Sequence, residues 1–466
     1  MKRVAAIDFL RALAIIGMVA SGSMFWHAEL PAAMFHAQLP PPTFVFNPDV
    51  AGITWVDLVF PFFLFSMGAS MPLALRRREQ KGASTMQVVQ SALHRFVWLA
   101  GFAIILGNTR MYLLGNSPEW VASLSTLCVW VLFFVMFIRL PKMEQRRNTI
   151  LNWVGFALLI GATLLYKPLF GVDVALERSD IIILILANMA LFGTLFWWFT
   201  RNHPTTRIVI IAAFAMLKMA SGVEESWTAH LWQFSPADWL FRFEFLKYLC
   251  VVLTGSLVGD MIYRWMSAKK ENDDTATDNG SLSIAIVATL IATVVLLMWG
   301  LFSREVETAV YLSAALCLAT WFMLKGLRSE HSVLYREIFV AAMAMLLIGL
   351  ITEPMEGGIK KDHATVSYFF TTSAMAAMVL LSALILEIRF KLRFKVLEAC
   401  GANPMFAYVA SGYLLTPLLS LCCVIGPMNE WFHSGPWLSF GRGVVFALLV
   451  IAVTYPFTRK NYYWKS

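Results

Sequence analysis

Five of the eight histidines, His27, His36, His230, His363 and His433, fall in loops that the topology derived below places on one side of a membrane. An imidazole titrates near neutral pH and so suits general-base work, although surface loops also hold histidine freely. Among the carboxylates, Asp57 stands out. It opens the segment Gly52 to Ser70, which reads GITWVDLVFPFFLFSMGAS. Pro61 lies in the same aromatic-rich run, where it removes a backbone hydrogen bond and frees a carbonyl toward a cavity. Gly52 and Thr54 suit a helix entry. The plainer alternative is a kinked packing helix carrying an aromatic belt.

Other ionisable groups interrupt apolar sequence. Asp8 and Arg11 sit three residues apart at the start of the first run, either as a working pair or as an interfacial ion pair that orients the helix. Glu244 and Lys247 can pair across one helical turn. Lys218, Asp260 and Glu353 complete the set, Asp260 reading as a carboxylate near a membrane surface. The six cysteines show no CxxC and no Cys/His spacing for a metal, so no metal is expected.

The elements that must position these groups follow from composition. Of 466 residues, 59% are hydrophobic and only 14% charged, with a mean hydropathy of +0.67. Soluble chains carry roughly 25% charged residues. A soluble globular domain, a disordered chain and a nucleic-acid-binding module are excluded. The chain reads as an all-α polytopic membrane protein, residues 1–466 forming one integral membrane domain. A spanning helix needs about 20 mostly apolar residues. About fourteen runs qualify, the weakest at 207–221, which is short and carries Lys218. The polar stretch 268–283 reads as a cytoplasmic linker. The basic, apolar N-terminus imitates a signal peptide, but Asp8 and Arg11 break the run, so the helix is expected to be retained.

With the N-terminus in the cytoplasm, 26 of the 37 basic residues fall inside, nine outside, and Arg11 and Lys218 within helices. That bias is a strong positive-inside signal and places both termini in the cytoplasm, as in a multi-pass protein of a cell inner membrane. No internal repeat is visible, which counts mildly against a transporter.

The segment from Gly52 to Gly68 resembles the heparan-alpha-glucosaminide N-acetyltransferase family of transmembrane acyltransferases, in its bacterial branch. Its G-x-T-x-x-D-L-V-F-P-x-F-x-F-x-x-G entry is matched at nearly every fixed position, and the His36-Ala37 pair precedes it. Ile7-Asp8-Phe9-Leu10-Arg11-Ala12 is similar to the family's opening. Weaker likenesses follow at Lys361 to Tyr368, at Gly401 to Tyr408 and in the tail Arg459 to Lys465. Departures are an insertion, Leu39 to Ala51, after the histidine, and four helices beyond a ten-helix core, near 180–221 and 283–325.

The resemblance implies transfer of an acetyl group from cytoplasmic acetyl-CoA, as co-substrate, to an amino sugar or glycan on the outer, periplasmic side. His36 is then the base or a transient acetyl carrier, Asp57 orients it, and His363 is the reserve candidate. Asn403 is expected on the CoA side. CoA phosphates need cations, and Arg76, Arg77, Arg78, Lys391 and Arg393 are available in inner loops, although all five also read as ordinary positive-inside residues. The insertion's Pro40, Pro41 and Pro42 favour a stiff, extended path across the outer mouth. Membrane lipid is the expected surrounding partner, nucleic acid is not, and a homodimer stays open. The alternative is a transporter or flippase of a sugar- or lipid-linked substrate; a decayed, non-catalytic scaffold is a third reading. A transferase should show a cavity joining His36 to the cytoplasmic face, and a transporter a pseudo-symmetric central site.

Overall fold

The computed structural model describes residues 4–268 and 279–465. Every apolar run forms a helix, because in a bilayer only a helix satisfies all its backbone groups within one segment. The long helices are α1 (Ala5–Ser23), α2 (Trp55–Gln80), α3 (Thr85–Asn108), α4 (Glu119–Phe137), α5 (Gln145–Leu164), α6 (Ile181–Thr200), α7 (Pro204–Ala220) and α8 (Leu249–Ala268). They continue with α9 (Gly280–Ser303), α10 (Val306–Gly326), α11 (His331–Thr352), α12 (Val366–Phe390), α13 (Pro404–Leu421) and α14 (Pro436–Arg459). The protein is an all-α polytopic membrane protein.

Thirteen of these helices are long and apolar enough to cross a membrane. The exception is α7, with 17 residues, at the run that was weakest in sequence. It still runs alongside α8. Near its start Arg207 meets Asp260 of α8 at 2.6 Å, and near its end Lys218 lies over Trp232, 5.7 Å from the ring centre. Asp260, 18% exposed, neutralises a guanidinium that is 0% exposed.

Both described chain ends sit on one face of the bundle, here called the terminal face. Glu387 at the end of α12 accepts from the amides of Ala5 and Ala6 at 3.2 and 2.8 Å. Two short strands, β1 (Ile138–Arg139) and β2 (Tyr463–Trp464), pair antiparallel and clip the tail to the same face. Residues 269–278 of the expected linker lie outside the described residues. Its far end is corrected: with Asn279 as cap, α9 begins at Gly280, so Gly280 to Ser283 are helical.

The helix α12 occupies the centre, 94% of its apolar window being buried inside the protein. Beside it, α2 and α8 pack backbone to backbone. A Cβ added at Gly68 would strike the carbonyl of Val252, and one at Gly255 or Gly259 would strike those of Phe65 and Ala69. Small residues at such a seam let helices gain van der Waals contact without side chains between them. Of the four helices expected as additions, α6 is embedded, with 72% of its window buried, whereas α10 is peripheral at 22%. Each expected pair has an outlying member of the kind an addition to a core predicts, α10 in one and α7, with four of its 17 residues buried, in the other.

Candidate functional site

The entry to α2 is built around Asp57. Thr54 caps the helix, its hydroxyl accepting from the amide of Val56, while Asp57 returns a bond to the Thr54 amide at 2.9 Å. This reciprocal box satisfies donors that a helix start leaves open. The same carboxylate oxygen accepts from the Ala37 amide at 3.3 Å. Its other oxygen lies 2.7 Å from His36 Nδ1. Asp57 is 0% exposed, so the cap and the dyad are one buried arrangement.

Pro61 contributes at a distance of one turn. Lacking an N–H, it cannot bond the carbonyl of Asp57 four residues earlier. That carbonyl accepts instead from the Tyr368 hydroxyl at 2.7 Å. The freed carbonyl expected from sequence is present, and a side chain of α12 fills it. Asp57 and Pro61 are both buried among helices.

Lys361 completes the cluster. Its ammonium lies 3.0 Å and 3.3 Å from the two ring nitrogens of His36 and 3.8 Å from Asp57. Nδ1–H donates to Asp57, so Nε2 is the ring nitrogen left to accept from lysine or to take a proton. The loop that carries Lys361 is tied down on both sides. Glu356 accepts from the amides of Val366 and Ser367, each at 2.8 Å, capping α12, and the Lys360 amide donates to Thr365 Oγ1 at 3.1 Å. Burial lowers the Lys361 pKa, while Asp57 and Asp362 pull it back up.

The structure thus joins His36 with Asp57, as expected, and puts Lys361 where His363 was held in reserve. His363 is exposed and makes no bond to the cluster. Lys361 heads the Lys361 to Tyr368 likeness, but its contact with His36, 325 positions away, is not legible from that segment. The insertion also differs from expectation. It does not extend stiffly across the mouth but closes on itself: Asn47 N donates to Gln38 O at 2.9 Å, and Gln38 Nε2 to Val50 O at 3.0 Å. Closure of the loop brings the chain back to Gly52, whose amide bonds Ile359 O at 2.7 Å, and leaves His36 over α2.

Toward the terminal face, α2 borders a cavity of about 460 Å³. Arg11, Arg78, Arg95, Arg139 and Lys465 line it, and among the described residues no acidic one does. The Nε of Arg95 is buried without a hydrogen-bond partner. Partial burial, together with Arg78, holds the Arg139 guanidinium below its ordinary pKa. Arg11 bridges helices here, donating to Ser70 Oγ at 3.1 Å and Gly401 O at 3.2 Å, with Asp8 at 3.5 Å. The Asp8–Arg11 pair thus packs among helices at the start of α1.

Of the five cations named from sequence, Arg78 lines this cavity and the other four lie elsewhere. Arg76 is held by Glu79 at 2.9 Å, Asn202 at 3.1 Å and the Arg201 carbonyl at 2.7 Å. Arg393 pairs with Glu398 at 2.5 Å, and Arg77 and Lys391 are exposed. None of these four lines the cavity. Asn403 is fully buried and spends both ends of its amide on the tail, donating to Tyr462 O and accepting from Trp464 N, each at 3.0 Å. It positions Trp464, which lines the cavity, and does not face it.

Residues 3–262 match the family described as a domain of unknown function, DUF5009. The chain belongs to this family. None of the curated proteins matches the sequence. The DUF5009 region contains His36, Asp57 and four of the five cavity cations. Lys361, Tyr368 and Lys465 lie beyond it, so both polar regions are completed by the remainder of the chain.

Proposed function

We propose that this protein is a membrane-bound acyltransferase that moves an acetyl group from cytoplasmic acetyl-CoA to an amino sugar or glycan on the outer side of a bacterial inner membrane. The observation that carries this reading is the placement of two complementary regions at opposite ends of α2. The terminal face is then cytoplasmic, in keeping with its excess of basic residues.

In this reading Arg78, Arg95 and Arg139 hold the phosphates of CoA, because guanidinium groups bind phosphate by charge-assisted, often bidentate hydrogen bonds. At the other end, Asp57 fixes the tautomer of His36, leaving Nε2 to take the proton from the acceptor amine. The amine nitrogen bonds to the acetyl carbon, the carbon–sulfur bond breaks, and the thiol leaves protonated. Lys361 is placed to donate to the oxyanion that forms on the carbonyl. The cavity's deepest residue on α2 is Phe63, six positions from Asp57, or about 9 Å along the helix at 1.5 Å per residue. The two regions share no lining residue, so a thioester arm reaches His36 only after the side chains between Asp57 and Phe63 move aside. Group transfer is favoured over transport because the polar groups divide between two faces, not around one central site.

The test is turnover of acetyl-CoA by purified protein with a panel of amino sugars. Release of free CoA that depends on an acceptor and on His36 supports the reading. Absence of acceptor-dependent release across the panel, with folded protein, counts against it.

A further inference from the structure

On the face opposite the chain ends lies a second polar cavity, of about 570 Å³, that the reaction above does not use. None of its lining residues belongs to the His36 cluster. Its centre is Asp180, the cap of α6, whose side chain is 6% exposed. The carboxylate accepts from Ile183 N at 3.1 Å, from Arg110 at 2.9 Å and from the Tyr408 hydroxyl at 3.1 and 3.2 Å.

This arrangement is electrically neutral, since one guanidinium balances one carboxylate. It is not saturated. Arg110 uses only Nη2 on Asp180, and a guanidinium carries five N–H donors. Tyr408 donates to Asp180 and keeps its lone pairs. Tyr112, 67% exposed, offers an aromatic face at the mouth. Donors and acceptors thus alternate over a short distance beside an aromatic ring, with apolar walls such as Met18 and Leu106 behind them. A ligand that meets this set carries groups that both donate and accept, no net charge, and an apolar face for the ring.

Two further features indicate that the space is meant to be filled. Gly22 and Gly412 both line the cavity, and a Cβ built at either would meet nothing within 4 Å. Gly412 belongs to the π-helical turn Ala410–Leu415 inside α13, and such turns occur frequently at functional sites. The volume falls within the roughly 300–1,000 Å³ of small-molecule sites.

We infer that the Asp180 cavity binds an uncharged saccharide, free or at the end of a glycan, through Asp180, Arg110 and Tyr408, with a sugar ring against Tyr112. This inference does not rest on the acyl-transfer reading, because its test reads binding and not turnover.

The experiment is isothermal titration of the full chain in nanodiscs with glucose and maltose as neutral probes, and with glucosamine and glucuronate as charged ones. Saturable binding of a neutral probe, stronger than that of either charged one, is expected. Gly412→Leu adds bulk to the cavity lining where a Cβ has open space and should weaken that binding at least tenfold. Asp180→Asn should do the same, but it also alters the α6 cap, so Gly412→Leu carries the decision. No saturable binding of either neutral probe, a preference for a charged one, or unchanged affinity in a folded Gly412→Leu would each overturn the inference.

Discussion

At one end of α2, each charge of the His36–Asp57–Lys361 cluster faces an opposite or a dipole within 3.8 Å. At the other, five basic residues line a cavity whose described walls hold no carboxylate. The first region is complete without a ligand, and its geometry is set by a helix cap, a proline and a tied loop. In the second, no carboxylate among the described lining residues faces Arg78, Arg95 or Arg139, and in the proposed reading the phosphates of CoA meet them. If the proposed reading holds, the difference teaches that catalytic orientation and substrate charge are handled separately, with one buried helix between them.

Substitutions at the complete region should have the largest effect. Replacing His36 with alanine removes the base, and turnover should fall by roughly 10²–10⁴-fold, the usual range for general acid–base catalysis. The Kd for CoA, measured on the same protein, should be little changed. Asp57→Asn should lose a similar factor and also destabilise the fold, since Asp57 caps α2. An equal loss of CoA binding in His36→Ala would merge the two regions into one.

At the cationic cavity, Arg95→Ala combined with Arg139→Ala should raise KM for acetyl-CoA and leave kcat nearly unchanged, the signature of lost uniform binding. Each hydrogen bond to a charged group contributes about 1.5–3 kcal/mol, or roughly a tenfold to hundredfold effect. Steady-state kinetics at two salt concentrations would check this, because higher salt should weaken the wild type toward the variant. A fall in kcat alone would contradict the division.

How much of this arrangement the sequence reveals depends on distance along the chain. The apolar runs, the α2 entry and the His36–Asp57 pairing are legible because local spacing and one motif carry them. Of the cationic cavity, only Arg78 is. The cavity's five members come from α1, α2, α3, β1 and the tail, and in sequence each is one more basic residue among many near a helix end. Arg76 and Arg393 read identically, yet Glu79 and Glu398 already neutralise them. Lys361 escapes for the same reason, and Asn403 reveals its duty only when the tail returns beside it. The weak run at 207–221 is legible as weak because it is short and carries Lys218.

Asn403 tests whether the cavity wall depends on the tail. Asn403→Ala leaves the Tyr462 carbonyl and the Trp464 amide unpaired and should cost about 1–3 kcal/mol, the penalty for unsatisfied buried groups. A lower thermal midpoint and faster proteolysis of the tail would show it. An unchanged midpoint would mean that β1–β2 pairing alone holds the tail.

The smallest effect concerns pH. Lys361 has a lowered pKa in the folded protein, chiefly from burial. Between that lowered value and the unfolded value of about 10.4, the unfolded chain binds more protons, so stability rises with pH. Lys361→Met should flatten this rise in thermal midpoint over the alkaline range. A rise of the same size in the variant would place its origin in another group.

The most direct test of the account is vectorial transfer in sealed proteoliposomes with the terminal face outward. Labelled acetyl-CoA would be supplied outside and an amino sugar enclosed within. The account predicts acetylated sugar in the lumen with the wild type and almost none with His36→Ala, while CoA binding outside persists in both. Acetylated product that forms equally with His36→Ala, or label that stays outside with an active wild type, would contradict it.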